Sequence, residues 1–183
     1  TANGTPAVCP NNVLPVEQTM AMIKAEAKSQ GLDERLALAV AEQESGFGVN
    51  NNSDAGARGP MQLMPSAALD YKVQDVCDYK QNIKGGVTYL KAMWEEFDGN
   101  VFLIVAAYNA GKQNVYKARG VPNIGETVKY VSRIANSYYG YKNSLQRSRL
   151  NVPAVPVQPQ AKDDSSADNG VLPVNSNLAK VQG

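Results

Sequence analysis

A chain of 183 residues with 43% hydrophobic side chains is long enough for one domain with a real core and too short for two large ones. Its 18 Lys and Arg against 17 Asp and Glu leave a formal charge of +1, without the basic footprint of a nucleic-acid binder. Histidine is absent, which excludes Ser-His-Asp triads, Cys-His pairs and histidine-based zinc sites and leaves acid–base chemistry to Asp, Glu, Tyr or Lys.

The segment before Pro15 is rich in Asn, Pro and Gly and reads as an irregular lead-in, residues 1–14. Pro15 suits the first turn of a helix running to about Gln30 and stopped by Gly31. Asp33 is the expected N-cap of a second helix, whose buried face is marked by Leu36, Val40 and Phe47. Gly, Asn, Ser and Asp crowd the stretch from Gly46 to Gly59, so a long loop follows; a small hairpin within 46–62 is the one candidate for strand. A short helix is expected from Pro65. Ile83, Val87, Leu90, Trp94 and Phe97 then form a helical stripe ending before Gly99. Val101 to Ala110 reads as a very apolar helix at the domain centre, and its apolar run is far too short to span a bilayer. The last expected helix runs from about Gly125 to Tyr139, with Val128, Val131, Ile134 and Tyr138 inward. Residues 151–183 hold four prolines and no aromatic side chain, a composition that cannot offset the entropy of ordering. The reading is a mainly α domain over 15–143 followed by a flexible tail, 144–183.

The cysteines are Cys9 and Cys77. One disulfide between them is the simpler reading, worth roughly 3–4 kcal/mol in the entropic account of loop closure, and it implies an oxidising compartment. The alternative is a pair of buried thiols in a cytoplasmic protein. The chain starts at Thr1 and shows no signal peptide, as expected of a secreted form whose leader has been removed.

Glu44 is the candidate catalytic group. Helical phase puts Leu36, Val40 and Glu44 in one row, whereas Glu42 lies about 200° from Val40 and faces water. Glu44 also ends its helix, before Ser45-Gly46, where the dipole and partial desolvation both favour its protonated form. A glycosidase acid needs that state near neutral pH. The bland alternative is a helix-end glutamate hydrogen-bonded for structure.

Around it stand Gly56-Ala57-Arg58-Gly59-Pro60-Met61-Gln62-Leu63-Met64-Pro65, then Ala107-Tyr108-Asn109-Ala110-Gly111, then Glu126-Thr127-x-x-Tyr130-Val131. With Glu44-Ser45-Gly46 these four elements, in order over residues 17–140, resemble the soluble-type lytic transglycosylase family. The resemblance implies a lysozyme-like, all-α fold with a glycan cleft. It implies that Glu44 is the single acid/base and that Ser53 and Gln62 line the site and contact substrate. It further implies that Tyr108 and Asn109 border the glutamate, that Glu126 and Tyr130 close the cleft wall, and that Met61 adds an apolar wall. Tyr108 and Tyr130 as core aromatics, Gln62 as a loop support and Glu126 as a first-turn glutamate are the structural alternatives. Pro60 departs from the family, which carries an aliphatic residue there; proline removes a donor and fixes φ beside Gln62.

What the resemblance implies about activity is cleavage of the N-acetylmuramic acid–N-acetylglucosamine bond of peptidoglycan with formation of 1,6-anhydro ends, in the periplasm or cell envelope. It implies no metal or organic cofactor. The size and proline-containing tail resemble transglycosylases of type IV secretion and conjugation machines, whose components are candidate partners of the tail; a monomer is the default. Two other readings stay open. One is a goose-type lysozyme-like hydrolase using a second acid such as Asp54, and the other a non-catalytic glycan-binding scaffold.

Overall fold

Pro15 begins the first ordered element, but from the N-cap position: in the computed structural model, which describes residues 8–141, helix α1 is Val16–Ser29. Pro15 still fits there, since its carbonyl accepts the Gln18 and Thr19 amides while the ring has no N–H to satisfy. Gly31, at φ +66°, reverses the chain, and the Leu32 amide returns to the Ala27 carbonyl at 2.9 Å.

Helix α2, Glu34–Ser45, starts as expected at Asp33, whose carboxylate accepts the Arg35 amide at 2.9 Å. It stops at Gly46, which takes the left-handed conformation at φ +61°. There the Gly46 amide bonds the Glu42 carbonyl and the Phe47 amide bonds the Ala41 carbonyl. Phe47, expected on the buried face of α2, therefore lies beyond the helix and is only half-buried. The stop leaves Glu44 in the last turn, at the rim of the core rather than inside it.

The remaining helices are α3 Pro65–Asp70, α4 Tyr79–Glu96, α5 Val101–Ala110, α6 Lys112–Ala118 and α7 Gly125–Tyr138. Helix α5 fills the centre, with Ile104 through Ala107 completely buried. It packs on α4, α6 and α7, while α2 packs on α1 and α7. Ile83, Val87 and Leu90 of the expected α4 stripe are buried, Trp94 is half-buried, and Phe97 is buried just past the helix end. Helix α6 was not legible in the sequence because only Gly111 separates it from α5 and no side chain caps it. On α7, Val128 points outward, 45% exposed, and Thr127, Tyr130 and Val131 take the inward places. The neighbours Thr127 and Tyr130 lie on the face towards α5 and α2, and Val128 is turned off it by about 100° per residue.

No strand forms among the described residues. The hairpin expected within 46–62 reduces to two isolated bridges, Asn52 with Arg58 and Arg58 with Leu63. The loop is instead fixed by side chains. Asn82 of α4, fully buried, accepts the Met61 amide at 2.8 Å and donates to the Arg58 carbonyl at 2.9 Å and the Val76 carbonyl at 3.0 Å. Gly86 lets the loop approach: a Cβ there would lie 2.4 Å from Met61 Cβ.

The lead-in is also tied down from Val8 onward. Cys9 and Cys77 form a disulfide, so the paired reading holds. Asn52 accepts the Cys9 amide at 2.8 Å and donates to the Cys9 carbonyl at 2.7 Å. Residues 1–7 of the expected lead-in and all but the first turns after α7, including the tail over 144–183, lie outside the described residues.

Candidate active site

The end of α2, the loop from Ser53 to Leu63, the C-terminal end of α5 and the N-terminal half of α7 surround a groove of about 520 Å3. Glu44 lines it. The Tyr130 hydroxyl donates to Glu44 Oε1 across the groove floor. Burial against protein atoms pushes the Glu44 carboxyl up to about 7. The Tyr130 hydrogen bond opposes that rise, and the negative charge of Glu126 adds to it. Tyr130 is itself held well above the usual phenol range, first by burial and then by the charge of Glu44, so it stays a donor. The arrangement is a carboxyl group poised near neutrality with a hydroxyl ready to stabilise its anion.

Tyr108 borders the same groove, 8% exposed, but its hydroxyl donates to the Met61 carbonyl at 2.8 Å. Its ring stacks on Tyr89 with centroids 4.8 Å apart. Tyr108 thus joins α5 to the loop and forms part of the wall. Asn109 follows it in the lining, its Oδ1 accepting the Thr127 hydroxyl at 2.8 Å, which leaves its NH2 group available to a ligand. Glu126, exposed in the first turn of α7, is the other groove-lining carboxylate.

Ser53 and Gln62 line the loop side. Ser53 Oγ accepts the Ala57 amide at 3.0 Å, and Gln62, at φ +46°, donates from Nε2 to the Gly59 carbonyl at 2.8 Å. Both side chains hold the loop while facing the groove. Pro60 does not disturb this geometry: its carbonyl accepts the Ser45 hydroxyl at 2.7 Å, and Ser45 Oγ accepts the Gly48 amide at 2.7 Å. That pair of bonds locks the end of α2 to the loop beside Gln62.

One expectation is corrected. Met61 is fully buried and packs on α4 at Gly86, so it forms no groove wall. Its place is taken by Met64, 42% exposed, with Leu63 and Ala57. The loop reverses at Gln62, which turns neighbouring side chains to opposite sides. Asp54, named as a second acid for a hydrolase, is exposed in the loop and lies outside the groove lining. Tyr89 was not anticipated. It sits between Val87 and Leu90 on α4, one step off the apolar stripe, and no local pattern marks it as a groove residue. Burial raises its phenol to about 12, and it donates to the Ala107 carbonyl at 3.2 Å.

A helical domain with a single poised glutamate in an open groove is the architecture of lysozyme-like glycan-cleaving domains. The chain belongs to the Transglycosylase SLT domain family, which it matches over residues 21–130. Its curated relatives include membrane-bound lytic murein transglycosylase F of Pseudomonas fluorescens, 37% identical over 102 residues, 52% of this chain and 21% of the relative. The protein of the same name from Erwinia tasmaniensis is 32% identical over 168 residues, 75% of this chain and 34% of the relative. The chain thus spans between a fifth and about a third of the length of these relatives. Among solved structures, an inactive mutant of lytic transglycosylase Slt from Pseudomonas aeruginosa superposes with TM-score 0.57 at 28% identity, covering 69% of this chain and 24% of that one. A 70-kDa soluble lytic transglycosylase in complex with bulgecin A gives TM-score 0.59 at 25% identity, covering 68% and 24%. The fold is that of lytic transglycosylase Slt over the matched part, mainly helical and lysozyme-like.

Proposed function

We propose that the chain is a peptidoglycan lytic transglycosylase that cleaves the β-1,4 bond between N-acetylmuramic acid and N-acetylglucosamine, with Glu44 as the only proton-transfer group. The observation that carries this reading is the Glu44 carboxyl, held near pKa 7 in the groove and bonded to Tyr130. At neutral pH a large fraction of it is protonated. It donates to the glycosidic oxygen as the bond from C1 to that oxygen breaks, and N-acetylglucosamine leaves with a free 4-hydroxyl. The carboxylate, stabilised by Tyr130, then takes the proton from the muramyl 6-hydroxyl, whose oxygen closes on C1. The nucleophile is tethered to the sugar, so no second carboxylate is needed to activate water. Ser53, Gln62, Asn109 and Glu126 are the groove's polar contacts to the strand, with Tyr108 and Tyr89 as its aromatic wall. The inactive Glu-to-Gln mutant of lytic transglycosylase Slt from Pseudomonas aeruginosa supports dependence on one glutamate.

The goose-type hydrolase reading takes Asp54 as its second acid, and Asp54 stands outside the groove, in which Glu126 is the carboxylate that accompanies Glu44. The scaffold reading is disfavoured by the intact Glu44–Tyr130 pair. Muropeptide mass spectrometry tests the reaction: anhydro products one water lighter than hydrolytic ones are expected. Reducing ends alone would overturn it.

The catalytic unit is residues 15–143, and its place of work is the cell envelope, in the periplasm. The Cys9–Cys77 disulfide supports an oxidising compartment, and the names of the relatives support the murein wall. No helix among the described residues is long and apolar enough to cross a membrane. Within the envelope, the reading extends to local opening of the wall for a secretion or conjugation machine, with residues 144–183 as the docking segment. A pull-down from envelope extracts with and without 144–183 tests that role, and equal recovery of partners would refute it.

A further inference from the structure

Beside the groove, the facing sides of α2 and α7 border a second, open cavity of about 200 Å3, lined by Ala39, Glu42, Gln43, Arg133, Ile134 and Ser137. Gln43 lines both spaces, so the two adjoin. Ile134 and Ala39, at 0% and 5% exposure, lie beneath the cavity. Its walls carry opposite charges, Glu42 on α2 and Arg133 on α7, both exposed. The Ser137 hydroxyl donates to Glu42 Oε2 at 3.2 Å and so fixes that carboxylate. The two charges do not join. The ion pairs among the described residues are Arg35–Asp33, Lys91–Glu95 and Lys112–Glu96, and Arg133 makes no hydrogen bond either. A guanidinium and a carboxylate that face one cavity without closing on each other suit a ligand with both an anionic and a cationic group.

We propose that this cavity is a subsite for the stem peptide of the glycan strand, Arg133 taking a peptide carboxylate and Glu42 an ammonium group. The inference rests on the peptidoglycan reading of the adjoining groove. The sugars of that strand offer hydroxyl and acetamido groups, which need no ionic pair. The peptide on each muramyl lactyl group offers carboxylates and, at its diamino acid, a free ammonium on a methylene chain. The cavity's size suits one amino-acid residue rather than a disaccharide. Gln43 stands between sugar and peptide.

The test compares kcat/KM on peptide-bearing strands with kcat/KM on strands stripped of peptide by an amidase. Arg133→Ala should lower the ratio of the two by about tenfold or more, as expected for loss of a charge-assisted contact. Glu42→Gln should lower it by a smaller factor, and Arg133→Lys should recover much of it. Lys129→Ala, which removes the same charge from an exposed position of α7 outside the cavity, should leave the ratio unchanged. An unchanged ratio in Arg133→Ala, or an equal fall in Lys129→Ala, overturns the subsite. A second arm titrates the soluble alanyl-glutamyl-diaminopimelate tripeptide into the full chain by NMR. Amide shifts centred on Glu42, Gln43, Arg133 and Ser137 support the subsite, and their absence at millimolar peptide overturns it. Failure of the unmodified protein to release anhydro products would sink the transglycosylase reading instead, and the titration would still decide the cavity.

Discussion

Replacing Glu44 by Gln separates the cost of the poised carboxyl from its use. The folded carboxyl is raised from 4.5 to about 7, and each unit is worth 1.36 kcal/mol, so ionising it in the folded state costs about 3 kcal/mol relative to the unfolded chain. The sign follows from linkage. Between pH 4.5 and 7 the native state binds more protons than the unfolded one, so stability falls as pH rises through that window. The amide of Gln keeps an acceptor for Tyr130 and carries no charge at any pH. Glu44→Gln should therefore match the parent at pH 4 and exceed it by about 3 kcal/mol at pH 8. For a domain of this size that is roughly 10 °C in Tm. Guanidinium unfolding followed by Trp94 fluorescence at the two pH values measures it, and release of soluble muropeptides should be lost throughout. A stability gain independent of pH, or a loss at pH 8, would refute the claim that burial sets this group's charge. Retained lysis by folded protein would refute its catalytic role.

Three further outcomes follow from the same geometry. Tyr130→Phe removes the bond that lowers the Glu44 pKa, so the alkaline limb of the activity profile should move up while the maximal rate falls, about tenfold or more. A pH profile of wall lysis reads both. Glu126→Gln removes the charge that raises the Glu44 pKa, so the same limb should move down; an upward shift would contradict the electrostatic account. The Cys9→Ser, Cys77→Ser double variant opens a loop of 68 residues and should lose about 4 kcal/mol in the loop-entropy account, measured by denaturant midpoint. Reductant should lower the parent's stability and leave the variant's unchanged.

The helices whose boundaries have local causes were legible in the order of residues alone. Asp33 with Gly46, Pro65, and the continuous apolar run from Val101 each placed an element, because caps, fixed φ and burial act over a few residues. The phase of Glu44 relative to Val40 and the four ordered motifs also named most of the residues that meet in the groove. Which side chains face it depended on how the helices and loop pack. Met61 and Met64 are alike in composition and neighbourhood, and the left-handed turn at Gln62 together with Gly86 sends one into the core and the other to the groove. Val128 is as apolar as Val131, yet lies one residue off the face that α5 and α2 cover. Tyr89 and the Glu42–Arg133 cavity join residues 18 to 91 positions apart, and such neighbours exist only once the helices have packed.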